Sequence, residues 1–77
     1  MAIMVEEKIV VDPKICHGKP VIKGTRIMVV NILSLIAGGY NIEAILDYYK
    51  ELKKEDVLAA IKYAINVCNP LTYVITL

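Results

Sequence analysis

The chain has no tryptophan, no phenylalanine, one histidine and two cysteines among its 77 residues. Cys16 and Cys68 lie far apart and in no CxxC pair, so they cannot form a disulfide scaffold, and a reduced, cytoplasmic compartment is expected. Together with His17 they fall short of the four ligands of a structural zinc site. No third group is evident beside Cys16 and His17 for nucleophilic catalysis. The sequence therefore predicts no metal, no cofactor and no enzymatic activity.

Long apolar runs are also missing from the sequence. No stretch reaches the roughly 18 consecutive apolar residues that a transmembrane helix needs. The first residues include Glu6 and Glu7, whereas a secretory signal peptide would have basic residues near its start. Both absences favour a cytoplasmic protein.

The chain has no large excess of charge of either sign, because nine Lys and Arg residues are balanced by eight Asp and Glu residues. Any contact with nucleic acid must therefore come from a local basic patch. In contrast, 57% of the residues are hydrophobic, which is more than a core of this size can bury. We expect a homodimer or an obligate protein partner, because large exposed apolar patches promote aggregation. The alternative is a tight monomer with many scattered exposed aliphatic side chains.

The most distinctive segment is DPKICHGKPVIKGTRI at residues 12–27, which contains two prolines, two glycines and four basic residues. Proline fixes φ, and glycine permits positive φ. The segment therefore predicts a loop, a short strand at 21–22, and a turn that leads sharply into a helix. The strand at 21–22 is expected to pair with residues 9–11.

Apolar residues recur at helical spacing over residues 28–37, 42–50 and 54–68. Asn41 is the predicted N-cap of the second helix. The predicted apolar stripe of the third helix comprises Val57, Leu58, Ile61, Ile65 and Cys68. The fold class is therefore mainly α with a small N-terminal β-hairpin, and the short joint before the third helix matches helix-turn-helix spacing.

We expect a single domain over residues 1–77. Its parts are a β-hairpin and lead-in loop at 3–27, a three-helix core at 28–68 and a β-prone tail at 71–77. The tail is predicted to pair with the N-terminal strands of its own chain or of a partner chain.

The motifs resemble those of the domain of unknown function 433 family. They are DP at 12–13, ICHGKPVIKGTRIMV at 15–29, GY at 39–40 and EDV at 55–57, and the resemblance covers residues 8–67. It implies a dimeric, homeodomain-like three-helix fold and an antitoxin that binds a PIN-like ribonuclease toxin. His17 departs from the family's glycine, and Lys50 and Lys53 replace a proline and a capping Thr or Ser.

The third helix is the candidate recognition helix, because lysines at its start could meet phosphates and Asn66 could contact a base edge. Glu55 and Asp56 would repel phosphate, so a solvated helix face with intrahelical pairs remains the alternative. The candidate nucleic-acid contacts are Lys23, Arg26, Lys53, Lys54, Lys62 and Asn66.

The turn formed by Gly24, Thr25 and Arg26 allows two interpretations. Thr25 could cap the following helix, and backbone N–H groups beside Arg26 could hold a phosphate. Alternatively, Arg26 pairs with a carboxylate and locks the hairpin onto the helices.

Tyrosines are the expected interface anchors because they are the only aromatic residues. Small and apolar residues that lie partly off the core stripe of the third helix complete the predicted surface. The candidate partner contacts are Tyr48, Ala59, Ala60, Tyr63, Val67 and Tyr73. The helix-turn-helix-like pattern and the family resemblance together favour a non-enzymatic antitoxin-like protein that binds a PIN-like ribonuclease, with its own promoter DNA as a further candidate ligand. The alternative is a dimeric protein-interaction module without a nucleic-acid role.

Overall fold

A computed structural model describes residues 3–69 of the chain. They form a small three-stranded sheet followed by three helices, which confirms the mainly α class with a small N-terminal sheet. The elements are β1 (Ile3–Glu6), β2 (Ile9–Val11), β3 (Val21–Ile22), α1 (Val29–Ala37), α2 (Ile42–Tyr48) and α3 (Lys54–Cys68). None of these helices is long and apolar enough to cross a membrane.

The sheet is antiparallel, with β2 between β1 and β3. Ile9 is paired with Ile22 and Val10 with Val21, which confirms the predicted pairing of 9–11 with 21–22. Ile9 and Ile22 are both buried, so this register turns their side chains toward the helices. The predicted strand in the tail at 71–77 lies outside the described residues.

Thr25 stabilises the turn that joins β3 to α1. Its backbone N–H donates to the carbonyl of Ile22 across 2.9 Å, and Gly24 adopts a φ of 83°, as the third position of a type II turn requires. The Thr25 hydroxyl donates to the Ile22 carbonyl and accepts from the Ile27 N–H. Thr25 therefore does not cap α1, whose N-cap position is Met28. This corrects the prediction, because the chain continues extended through residue 28.

The loop between β2 and β3 contains a left-handed turn at Cys16–Gly18. The φ angles are 51° at Cys16, 58° at His17 and 82° at Gly18. Glycine adopts this region freely, whereas in other residues the Cβ comes too close to the backbone. His17 therefore occupies a position that suits glycine better.

The helix ends follow local capping rules. Gly39 has a φ of 97°, and the N–H of Tyr40 donates to the Leu35 carbonyl at the end of α1, a Schellman arrangement. The side chain of Asn41 accepts from the Ala44 N–H across 2.8 Å, which confirms it as the N-cap of α2. The second helix ends at Tyr48, two residues before the predicted residue 50.

One apolar core lies between the sheet and the helices. It consists of Ile9, Ile22, Ile27, Val29, Ile32, Ile45, Leu52, Val57, Ala59 and Ala60, with Val21 also buried. Side chains from β2, β3 and all three helices meet there, so burial of this cluster is the main force that holds sheet and helices together.

Candidate interaction surface

The third helix turns two large aliphatic side chains toward solvent. Leu58 is 38% exposed and Ile65 is 59% exposed, although the helical spacing predicted both for the core. Cys68 is exposed as well, Ile61 is half-buried, and Val57 is fully buried. The residues predicted to form one buried face of α3 therefore lie on two faces. Val57 is in the core, and Leu58 and Ile65 form an outer apolar strip.

Ala59 and Ala60 lie in the core rather than at the surface, with exposures of 8% and 0%. The folded chain therefore buries two of the side chains that were predicted to contact a partner. Ala59 lines a cleft together with residues of the β1–β2 turn, including Glu7 and Lys8. The small side chain at this position leaves the cleft between the turn and the helix open. Two adjacent alanines in an amphipathic helix are the signal that sequence analysis missed.

The other predicted partner contacts differ in accessibility. Tyr48 is 68% exposed at the end of α2, and its ring packs edge-on against Tyr49, with ring centroids 4.8 Å apart. Val67 is exposed near the end of α3, whereas Tyr63 is half-buried against the core. Tyr73 lies outside the described residues. Tyr48 and Val67 thus join Leu58 and Ile65 as accessible apolar side chains.

Basic residues gather near the start of α3. They come from the residue before β2, the residue after β3 and the first residues of α3. The N–H of Lys23 donates to the carbonyl of Lys8 across 2.8 Å. The Nζ of Lys8 lies 3.8 Å from Oδ1 of Asp56, whose Oδ2 accepts from the Lys53 N–H. The Asp56 carboxylate therefore already serves the start of α3, where it accepts from the N–H of the N-cap residue, while the Lys53 side chain makes no cap hydrogen bond. The exposed Lys54 follows directly.

Two predicted nucleic-acid contacts, Lys62 and Asn66, lie beside glutamate side chains. Lys62 lines a cleft of about 230 Å³ that three glutamates share, and these would repel a phosphate group. The side-chain amide of Asn66 donates to Oε2 of Glu6 across 2.7 Å. That bond competes with any contact between the amide and a base edge. The other residues that line the cleft are Glu6, Glu7, Lys8, Glu55, Leu58 and Ala59.

Arg26 lies on the loop before α1, where the residue is exposed. Its carbonyl accepts a weak hydrogen bond from the Sγ of Cys16 across 3.4 Å. The alternative interpretation required a carboxylate partner for Arg26. Among residues 3–69, no carboxylate lies within salt-bridge distance of its guanidinium. The side chain is therefore accessible to a ligand.

Acidic residues, histidine and cysteine form no cluster of three or more that could hold a metal ion within the described part of the chain. Cys16 is half-buried and Cys68 is exposed, and both are free thiols.

Fold and surface together define a small, mainly α protein with an apolar strip on α3 and a basic cluster at its start. The chain belongs to the family described as protein of unknown function (DUF433), whose model matches residues 9–64. It is 35% identical over 60 residues to the uncharacterized protein y4eO of Sinorhizobium fredii, a match that covers 78% of this chain. The chain spans only 26% of the length of y4eO. No solved structure matches it.

Proposed function

We propose that this protein is a non-enzymatic antitoxin-like protein whose outer strip on α3 binds a PIN-like ribonuclease. The observation that carries the proposal is the exposure of Leu58 and Ile65 on one helix face. They lie seven residues apart, so both project from the same side of two helical turns. An amphipathic helix that docks an apolar groove presents anchors at this spacing.

Energetics favour a protein partner for this strip. Burial of a Leu or Ile side chain contributes about 1.5–3 kcal/mol relative to an exposed one. Lys62, on the same side of the helix, can pair with carboxylates at the rim of such an interface. Tyr48 adds a rigid aromatic side chain at the end of α2. We infer that the protein acts as a dimer, as the family resemblance implies.

The experiment is recovery of the tagged chain from cells of its source, followed by mass spectrometry of the bound proteins. Stoichiometric recovery of a PIN-like ribonuclease, with its activity inhibited in the complex, is the expected result. Leu58→Ser with Ile65→Ser should abolish recovery. Val30→Ser is the control on another helix, because Val30 is 51% exposed on α1, a value between those of Leu58 and Ile65. Recovery of the chain alone, or equal loss with the Val30 variant, would contradict the proposal.

Binding to promoter DNA is a second candidate function, favoured by the basic cluster at the start of α3. Five residues, 49–53, connect α2 to α3, which is one more than the roughly three to four residues of a typical helix-turn-helix joint. In that arrangement the first residues of the second helix face base edges, which here are Lys54 and its neighbours. Lys23 and Arg26 would contact the phosphate backbone from the loop before α1.

The test of DNA binding uses the DNA upstream of the protein's own gene and a salt series. Lys53→Glu with Lys54→Glu should weaken binding and reduce the slope of log K against log salt by about 0.9 for each phosphate that the variant no longer neutralises. Lys14→Glu with Lys19→Glu makes the same charge change in exposed residues of the β2–β3 loop. If both pairs act alike, bulk charge rather than α3 is responsible. If the wild-type chain binds no DNA, the interaction module without a nucleic-acid role is the better description.

A further inference from the structure

The outer edge of β1 has no neighbouring strand among residues 3–69, because β2 occupies only its other side. Met4 is 59% exposed and Val5 is 42% exposed along this edge. An open edge with apolar side chains is a template for pairing with another strand. Something of β-strand character is therefore expected to cover it.

The end of α3 lies beside this edge. The hydrogen bond from Asn66 to Glu6 joins the last turns of the helix to the last residue of β1. Val67 follows Tyr63 by one helical turn, yet Tyr63 packs against the core while Val67 is 45% exposed. The helix therefore extends past the core, and at Asn69 the backbone becomes extended, with φ −67° and ψ 118°.

In the sequence that follows, every second residue is apolar, and only Val74 adds an apolar residue to the other face. Leucine, tyrosine, isoleucine and leucine stand at positions 71, 73, 75 and 77, and threonine, valine and threonine stand between them. This period of two predicts a strand with one apolar face. Seven residues span about 23 Å in a strand, which exceeds the roughly 13 Å of a four-residue edge.

We propose that the outer edge of β1 is the docking site of residues 71–77 of the same chain, which pair with it as a fourth strand. The alternating apolar side chains then cover Val67 and the apolar side of β1. The chain's own tail is favoured over the tail of a second copy, because only Pro70 separates residues 71–77 from Asn69. A short tether gives an effective concentration in the millimolar range. The inference is independent of the partner and of the DNA proposed above.

Amide hydrogen exchange measured by NMR tests this site. The full chain is compared with a chain that ends at Asn69. We expect β1 amides to lose protection by about tenfold or more in the shortened chain, while β2 and β3 amides keep theirs. Unchanged protection of β1 in a shortened chain that remains folded would overturn the proposal.

Two substitutions keep the test valid if the shortened chain does not fold. Ile75→Glu places a charge on the apolar face of the tail, and Thr76→Glu places the same charge on the other face. The first should reproduce the loss of β1 protection, and the second should not. Equal effects of the two variants would contradict strand pairing. Protection of β1 that falls on dilution would assign the docked segment to a second copy and overturn the assignment to the same chain.

Discussion

The side-chain amide of Asn66 in α3 donates a hydrogen bond to Oε2 of Glu6 in β1 across 2.7 Å. Sixty residues separate the two in sequence, so this bond fixes the end of α3 against the first strand. The contact assigns Asn66 a structural role and places the helix end beside the strand edge. It also gives the Glu6 carboxylate a hydrogen-bond donor.

Replacement of Asn66 by Asp should destabilise the fold at neutral pH. Two carboxylates would face each other at hydrogen-bond distance, and the free energy of unfolding should fall by about 1 kcal/mol. Protonation of either carboxyl removes the repulsion, so the loss should shrink as the pH falls. Urea unfolding at neutral and acidic pH measures this. The double variant Glu6→Gln with Asn66→Asp reverses donor and acceptor and should recover stability; a failure to recover would contradict the role of this bond.

The hydroxyl of Thr25 holds the turn before α1 through two hydrogen bonds, to the Ile22 carbonyl and from the Ile27 N–H. Thr25→Val keeps the shape but removes both, and it leaves the Ile27 N–H without that acceptor. We expect a loss of about 1–2 kcal/mol in the free energy of unfolding. Thr25→Ser retains the hydroxyl and is the matched control. Equal midpoints of chemical unfolding for the Val variant and the wild type would refute the assignment.

His17 has φ 58° and ψ 31°, a left-handed conformation that disfavours residues with a Cβ. We expect His17→Gly to stabilise the chain by about 0.5–1 kcal/mol, because relief of this strain exceeds the added freedom of the unfolded chain. His17→Val should destabilise it, since β-branched residues rarely adopt positive φ. Thermal unfolding of the three chains gives the order. A glycine variant less stable than the wild type would show that the imidazole makes a stabilising contact.

Ile45 is fully buried in α2 at the centre of the core. Ile45→Ala removes methyl and methylene groups and leaves a cavity, which costs about 2–5 kcal/mol. That is a large share of the total stability of a small domain, so the variant should be partly unfolded at room temperature by circular dichroism. Val30→Ala, at an exposed site of α1, should change stability by less than about 0.5 kcal/mol. Similar losses at the two sites would mean that the core is wrongly placed.

Local signals in the sequence predicted most of the elements. Asn41 and Gly39 mark helix ends through bonds that they make with their near neighbours, so they act without tertiary context. The pairing of residues 9–11 with 21–22 also followed from short β-branched runs around a loop. The family resemblance rested on contiguous motifs and is confirmed over residues 9–64.

The surface on α3 did not follow from the sequence. Helical spacing placed Leu58 and Ile65 in the core and Ala59 and Ala60 near the surface, and the structure reverses both assignments. Periodicity defines which residues share a helix face, but the rotation of the helix depends on what packs against it. Here Ala59 and Ala60 pack into the core, so the side of α3 that carries Leu58 and Ile65 faces solvent.

The sequence by itself thus determined which segments form helices and strands, because caps, turns and periodicity act between near neighbours. Only the tertiary structure decided which face of α3 remains accessible and what the polar side chains bind. The bonds of Asn66 to Glu6 and of Lys8 to Asp56 join residues that are distant along the chain. No local pattern encodes such contacts, since they form only when sheet and helices pack around the shared core.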